Sequence, residues 1–378
     1  TAYLKANHPV EFLAASMTFD MGNTDKLNIF KQEAERMGFQ VRPPAINRSE
    51  AEFIVDEGAI RYSLAAIKNV GRQAIDHMTE LRREGGRFTS LADFARRISP
   101  RMVNKRALEN LARAGAFDEF NPNRAQVLAG VETILAMANR TENERTCGQN
   151  DLFGGAMPAE EELALPPAEA WLPMDRLAQE FEAVGFYLSG HPLDEYKNAL
   201  GRLGASPWQE FVRKVKGGNT AGKLAGTVLY RQERKSRQGN RFAFVGFSDP
   251  TGQFEAVVFS DTLAVAHDLL EPGSAVMLVV EAGVDGEDIK VRVQSVEPLD
   301  SAAQNVKSGL RIFVEDESPL ESIAQRLTNG GKSPVRLIVM VEGGAREVEI
   351  SLGNSFTVTP QIKGAIKAVP GVVDVHDL

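Results

Sequence analysis

From Leu224 onward the apolar residues change their spacing, and that change limits what the second half of the chain can become. Five short segments alternate apolar and polar side chains: Leu224 to Tyr230, Phe242 to Phe247, Phe254 to Phe259, Val276 to Val280 and Ile289 to Val296. A period of two sets one face of a pleated strand against a core. Turn residues divide them at Gln238-Gly239-Asn240, at Asp249-Pro250-Thr251-Gly252 and at Asp285-Gly286. Thr262 to Leu270, between the third and fourth segments, has helical spacing. Five strands with a helix after the third predict a small closed barrel of Greek-key order over residues 216–300.

A barrel of that order is of the OB type. Before it the spacing is helical. Residues 1–55 read as helices broken at His8-Pro9, at Met21-Gly22-Asn23 and at the extended Val41-Arg42-Pro43-Pro44-Ala45-Ile46-Asn47, where the Pro-Pro pair forbids helix. From Ile60 to about Met137 short helices are expected, with stops at Gly71, Gly85, Gly86 and Gly115, so residues 56–140 form one helical region. Residues 141–215 hold an acidic linker and a helix from Met174 to Tyr187 that ends at Gly190-His191-Pro192. The last segment, 309–378, reads strand, helix, strand, strand, helix, strand, the element order of a small ferredoxin-like α+β unit. The expected class is therefore multidomain α+β.

The net charge of −8 would argue against nucleic acid, but it is unevenly spread. Arg61 to Arg113 holds 12 Arg and Lys against 5 Asp and Glu, while Glu160 to Glu195 holds 9 acids against the single base Arg176. One cysteine, Cys147, excludes an internal disulfide framework and fits a reducing compartment, the cytoplasm. No apolar run approaches the roughly 20 residues of a membrane span. The chain starts at Thr1, within a helical pattern, so it is expected to be part of something longer.

Three stretches carry candidate binding chemistry. In Ile67-Lys68-Asn69-Val70-Gly71-Arg72-Gln73 a tight turn opens a helix, where free N–H groups and the helix dipole can receive a phosphate. Gly71 lets a backbone approach, and Lys68 and Arg72 add charge. A second unit, Asn104 to Phe117, has a plainer Ala114-Gly115-Ala116 turn and reads as packing support. In the barrel, Arg231, Arg234, Lys235, Arg237 and Arg241 crowd the expected loop between the first two strands. Phe242 and Phe244 then share one strand face, open to base stacking, while Phe247 lies on the other. In the third stretch, Gln149-Asn150-Asp151-Leu152-Phe153-Gly154, a polar anchor precedes two apolar side chains inside a polar segment, as in a peptide that docks into a partner's groove.

Catalytic constellations are poorly represented. The five His make no zinc spacing, one Cys cannot build a zinc site, and there is neither an Asp-x-Asp pair nor a Gly-rich phosphate loop ending in Lys-Ser/Thr. These residues are expected to bind rather than catalyse.

Taken together, Ala65 to Gly71, Arg113-Ala114-Gly115-Ala116-Phe117-Asp118, Gln149 to Phe153 and Gly185-Phe186-Tyr187-Leu188-Ser189-Gly190-His191-Pro192-Leu193 resemble the C-terminal part of the alpha subunit of bacterial DNA polymerase III. The resemblance covers essentially the whole chain. It implies the end of the fingers in 1–55, tandem helix-hairpin-helix units in 56–140, and a peptide for the sliding clamp (beta subunit) at Gln149, Asp151, Leu152 and Phe153. It further implies an OB domain for nucleic acid in 216–300 and, in 309–378, a domain that engages the tau subunit of the clamp loader. Lys68, Asn69, Val70, Gly71 and Arg72 would then hold double-stranded DNA, and the barrel residues single strands. The polymerase carboxylates, with their Mg2+, would lie in a palm domain upstream, and no cofactor is expected in these residues. Two alternatives stay open: an OB-fold RNA-binding module, and a scaffold without a polymerase parent.

Overall fold

The computed structural model describes residues 1–147, 163–236, 239–286, 288–304, 309–341 and 346–378. They divide into two compact units, 1–171 with 175–189, and 172–174 with 190–378.

The first unit opens with helices Ala2–Asn7, Pro9–Phe19 and Thr24–Arg36, broken where the sequence expects. Pro9 stands in a first turn, where its missing N–H costs no bond, and the Asn23 side chain accepts the Lys26 N–H at 3.1 Å as an N-cap. The extended stretch supplies β1 (Val41–Arg42), followed by β2 (Ile54–Asp56) and β3 (Ala59–Arg61) in a small sheet of order β1-β3-β2. Ile60 thus lies in a strand, not at the start of the helices. The β2–β3 turn has positive φ at both Glu57 (52°) and Gly58 (75°), as a two-residue hairpin requires, and three-residue strands are too short to display a period.

Helices Arg72–Gly85, Leu91–Arg97, Lys105–Arg113, Arg124–Ala129 and Val131–Cys147 follow. The arm before Gly71 is a run of turns rather than a helix. Ser63 Oγ accepts the N–H groups of Ala65 and Ala66 at 3.1 and 3.2 Å, and the Lys68 N–H donates to the Ala183 carbonyl at 2.9 Å instead of within a helical ladder. One core joins Leu13, Met17, Ile60, Tyr62, Phe94 and Phe117 to Phe186.

A buried charge network braces this unit. Arg124, 3% exposed, donates to Asp118 at 2.8 and 2.9 Å, to the Arg113 carbonyl at 3.1 Å and to Glu180 at 3.4 Å. Glu180, wholly buried in the helix Pro173–Val184, turns its other oxygen to the N–H groups of Leu188 and Ser189 at 2.9 and 2.7 Å. Each charge is therefore paired and hydrogen-bonded, the condition under which burial is tolerable.

In the second unit β4 (Ala221–Lys235), β5 (Arg241–Asp249), β6 (Gly252–Phe259), β7 (Ala275–Asp285) and β8 (Asp288–Pro298) close a barrel of order β4-β5-β6-β8-β7. The helix Ser260–Ala266 and the 3-10 turn His267–Leu270 lie between the third and fourth strands, as the spacing predicts. Val245, Phe247, Phe254, Val258, Leu278 and Val293 fill the interior. The Trp208 ring stacks on Phe254 at 4.6 Å. Asp249 accepts the N–H groups of Trp208 (2.6 Å) and Thr251 (2.8 Å); burial pushes its carboxyl above the usual range. His191 accepts the Leu193 N–H on Nδ1 at 3.1 Å, which leaves Nε2 to donate to Ser248 Oγ at 3.0 Å.

The last segment has the expected α+β element order: β9 (Leu310–Val314), helix Leu320–Arg326, β10 (Thr328–Val341), β11 (Arg346–Thr357), helix Pro360–Lys367 and β12 (Val372–Asp377). Its sheet order is β11-β10-β9-β12. A ferredoxin-like sheet would insert a later strand between the first two, whereas here β9 and β10 pair directly in parallel. The seven-residue helix returns the chain straight into β10, and the β10–β11 hairpin then leaves β11 at the edge.

Candidate nucleic-acid interface

The basic stretch of the barrel is not a loop. β4 and β5 continue as a paired ribbon, with Arg231 opposite Val245, Arg234 opposite Phe242 and Lys235 opposite Arg241, so only the tip joins them. β5 is also paired with β6 as far as Phe242 opposite Phe259, so Arg231 and Arg234 lie on the barrel sheet itself and Lys235 and Arg241 stand at its end. Arg237 lies outside the described residues. Arg231 is occupied internally: it donates to the His267 carbonyl at 2.7 Å and pairs with Glu271 at 3.0 Å and Glu233 at 3.4 Å. Lys235 and Arg241 form no ion pair among the described residues. Like charges directly opposite destabilise a ribbon, so the pair suits an anionic partner.

Phe242 and Phe244 are half-buried on the outer face of β5, their rings 5.5 Å apart and edge to face, while Phe247 is in the core. Arg234 lies 5.5 Å from the Phe244 ring. The structure adds two residues that sequence reasoning missed. Phe259 stands opposite Phe242 on β6 and is 44% exposed, and the Arg292 guanidinium of β8 lies 4.6 Å from its ring. Strand parity carried a signal for Phe259: Phe254, Ala256 and Val258 point inward, so position 259 must point out. Arg292 has no such local signal, because the β6–β8 pairing that brings it near is non-local. Arg234, Phe242, Phe244, Phe259 and Arg292 make a row across the sheet, continued by a groove of about 380 Å³ lined in part by Lys290 and Gly283. Aromatic faces flanked by guanidinium groups can stack bases and hold phosphates.

In the first unit, Lys68, Asn69, Gly71 and Arg72 are exposed and Val70 is buried as the anchor. Asn69 has φ 61°, the left-handed turn that aims the hairpin. Gly71 has φ −73°, and a Cβ added to it would meet nothing within 4 Å. The fold does not require glycine there, and the open space over the helix N-terminus leaves room for a phosphate. Arg72 is paired with Glu52 at 3.0 Å. In the second hairpin Gly115 has φ 83°, and an added Cβ would lie 2.1 Å from Arg124 Nη2; Lys105 pairs with Glu132 at 2.6 Å. Gly115→Ala is accordingly expected to cost about 1–3 kcal/mol of unfolding free energy in a urea titration, and Gly71→Ala less than about 0.5 kcal/mol.

Gln149, Asp151, Leu152 and Phe153 lie outside the described residues. Among the described residues no group of three or more His, Cys, Asp or Glu side chains could hold a metal ion, and no helix is long and apolar enough to cross a membrane.

Comparison with known proteins bears on both interfaces. A family profile described as a helix-hairpin-helix motif matches residues 38–127, and one described as an OB-fold nucleic acid binding domain matches 223–299. The DNA polymerase III subunit alpha of Caulobacter vibrioides is 42% identical over 381 residues, taking in 100% of this chain and 33% of that protein. Over its whole length the chain is similar to a DNA polymerase III alpha subunit. The subunit of the same name from Escherichia coli K12 is 32% identical over 334 residues, covering 86% of this chain and 28% of its own length. The chain thus spans about a third of the length of the relatives it matches. Among solved structures, the second OB-fold domain of replication protein A from Methanococcus maripaludis aligns with 21% of this chain and 85% of that domain at 13% identity. Its TM-score of 0.18 carries no weight, and the OB assignment stands on the barrel and the matched profile.

Proposed function

We propose that this chain is the DNA-holding and processivity part of a replicative, DNA-directed DNA polymerase. The observation that carries the proposal is the row of Arg234, Phe242, Phe244, Phe259 and Arg292 on the outer face of the OB barrel. On this reading the barrel binds the single-stranded template, and the hairpin at Lys68, Asn69, Val70, Gly71 and Arg72 binds the backbone of the duplex. The peptide at Gln149, Asp151, Leu152 and Phe153 holds the sliding clamp, and residues 309–378 engage the tau subunit of the clamp loader in the cytoplasm. A tethered peptide acts at roughly millimolar effective concentration, so the contacts together could exceed any one by about 10² to 10⁴. Primer extension belongs to the remaining two thirds of the whole subunit. The described residues do not fit a magnesium site, and no step of the chemistry is assigned to them.

Salt dependence tests the DNA-holding claim. Single-strand affinity of the Lys235→Ala, Arg241→Ala double variant is expected to fall less steeply with salt, the log–log slope flattening by about 1.4 for two lost phosphate contacts. An unchanged slope, or tighter binding of structured RNA than of DNA, would reject it.

A further inference from the structure

The segment Phe181 to Ser189 lies outside the matched helix-hairpin-helix span, yet it packs against the phosphate hairpin from a point more than a hundred residues along the chain. The Ala183 carbonyl accepts the Lys68 N–H at 2.9 Å, fixing the backbone of the turn. The Lys68 ammonium lies 6.0 Å from the centre of the Phe181 ring. Gly185, at φ 96°, approaches so closely that an added Cβ would stand 2.7 Å from Thr24 Cγ2 and 3.1 Å from Lys68 Cε. The Phe181 ring is itself backed by Tyr187, centroids 4.9 Å apart, and Glu180 pins the N–H groups of Leu188 and Ser189. Three contacts from one segment therefore converge on a single exposed lysine.

We propose that Phe181 and Gly185 are positioning residues of the duplex grip, holding the Lys68 side chain along a fixed path so that its charge meets a backbone phosphate. The ring face steers the ammonium, and the absence of a side chain at Gly185 gives the lysine stem its channel. A free lysine would lose side-chain entropy on binding each phosphate; a lysine already confined loses less. The inference rests on the assignment of the Lys68 hairpin to DNA.

The test is a double-variant cycle on the full 378-residue chain, with duplex affinity read by fluorescence anisotropy across a salt series. Lys68→Gln is expected to flatten the log–log salt slope by about 1. Phe181→Leu is expected to weaken binding about two- to fivefold, the size of an exposed cation–π contact. In the Lys68→Gln background Phe181→Leu should have no further effect, and Phe181→Tyr, which keeps the ring, should bind as the parent does. If Phe181→Leu causes the same loss with and without Lys68, or if it causes none while Lys68→Gln does, the positioning role is overturned and the DNA hairpin stands. If Lys68→Gln changes neither affinity nor slope, the hairpin assignment itself falls and the inference with it. Unchanged thermal midpoints of the Lys68 and Phe181 variants guard against a folding defect.

Discussion

Arg124→Met should lower the unfolding free energy of the first unit by about 3–5 kcal/mol, the cost of leaving a buried charge without its partner. The side chain is 3% exposed and joins Asp118, the Arg113 carbonyl and Glu180, whose own carboxylate is wholly buried. Methionine fills the volume, so the loss reports on Glu180 and Asp118 rather than on a cavity. Glu180 would keep the N–H groups of Leu188 and Ser189 but lose its only cationic neighbour among the described residues. Urea unfolding followed by far-UV circular dichroism should show the transition of the first unit moving to lower denaturant while the transition of the barrel stays in place. A change below about 1 kcal/mol would mean that the network is replaceable by packing, as buried ion pairs sometimes are.

Phe242→Ala with Phe244→Ala should weaken single-stranded DNA binding by about 1–3 kcal/mol for each stacked base lost. The same double variant should leave the barrel's thermal midpoint nearly unchanged, because both rings are only half-buried and outside the core that Phe247, Phe254 and Val258 form. Phe247→Ala should do the reverse, unfolding the barrel through a core cavity. Phe259→Ala should resemble the outer pair, and it frees Arg292 from the ring at 4.6 Å. Equal loss of affinity from inner and outer aromatics would place the DNA elsewhere.

Much of this architecture was legible in the sequence because its signals are local. The alternation from Leu224 marks all five barrel strands, and Asp249-Pro250-Thr251-Gly252 marks the turn that Asp249 then caps with its own carboxylate. Prolines and Asn23 mark the early helix breaks for equally local reasons. What stayed hidden depends on partners distant in sequence. The β2–β3 hairpin is too short to show a period, and the bases after Tyr230 read as a loop because polar residues on a solvated ribbon alternate with nothing. Arg292 reaches the aromatic row only through the β6–β8 pairing, and Glu180 finds Arg124 from 56 residues away. The order β11-β10-β9-β12 likewise follows from which strands meet, which element order alone leaves open.

The central claim is that this chain holds DNA while tethered to the sliding clamp. Its most direct test is a calorimetric titration of the chain, and of its Leu152→Ala, Phe153→Ala variant, against purified bacterial clamp. Saturable binding that the variant loses is the predicted result; no binding by either protein, or equal binding by both, would contradict the tether and leave DNA holding to the hairpin and the barrel alone.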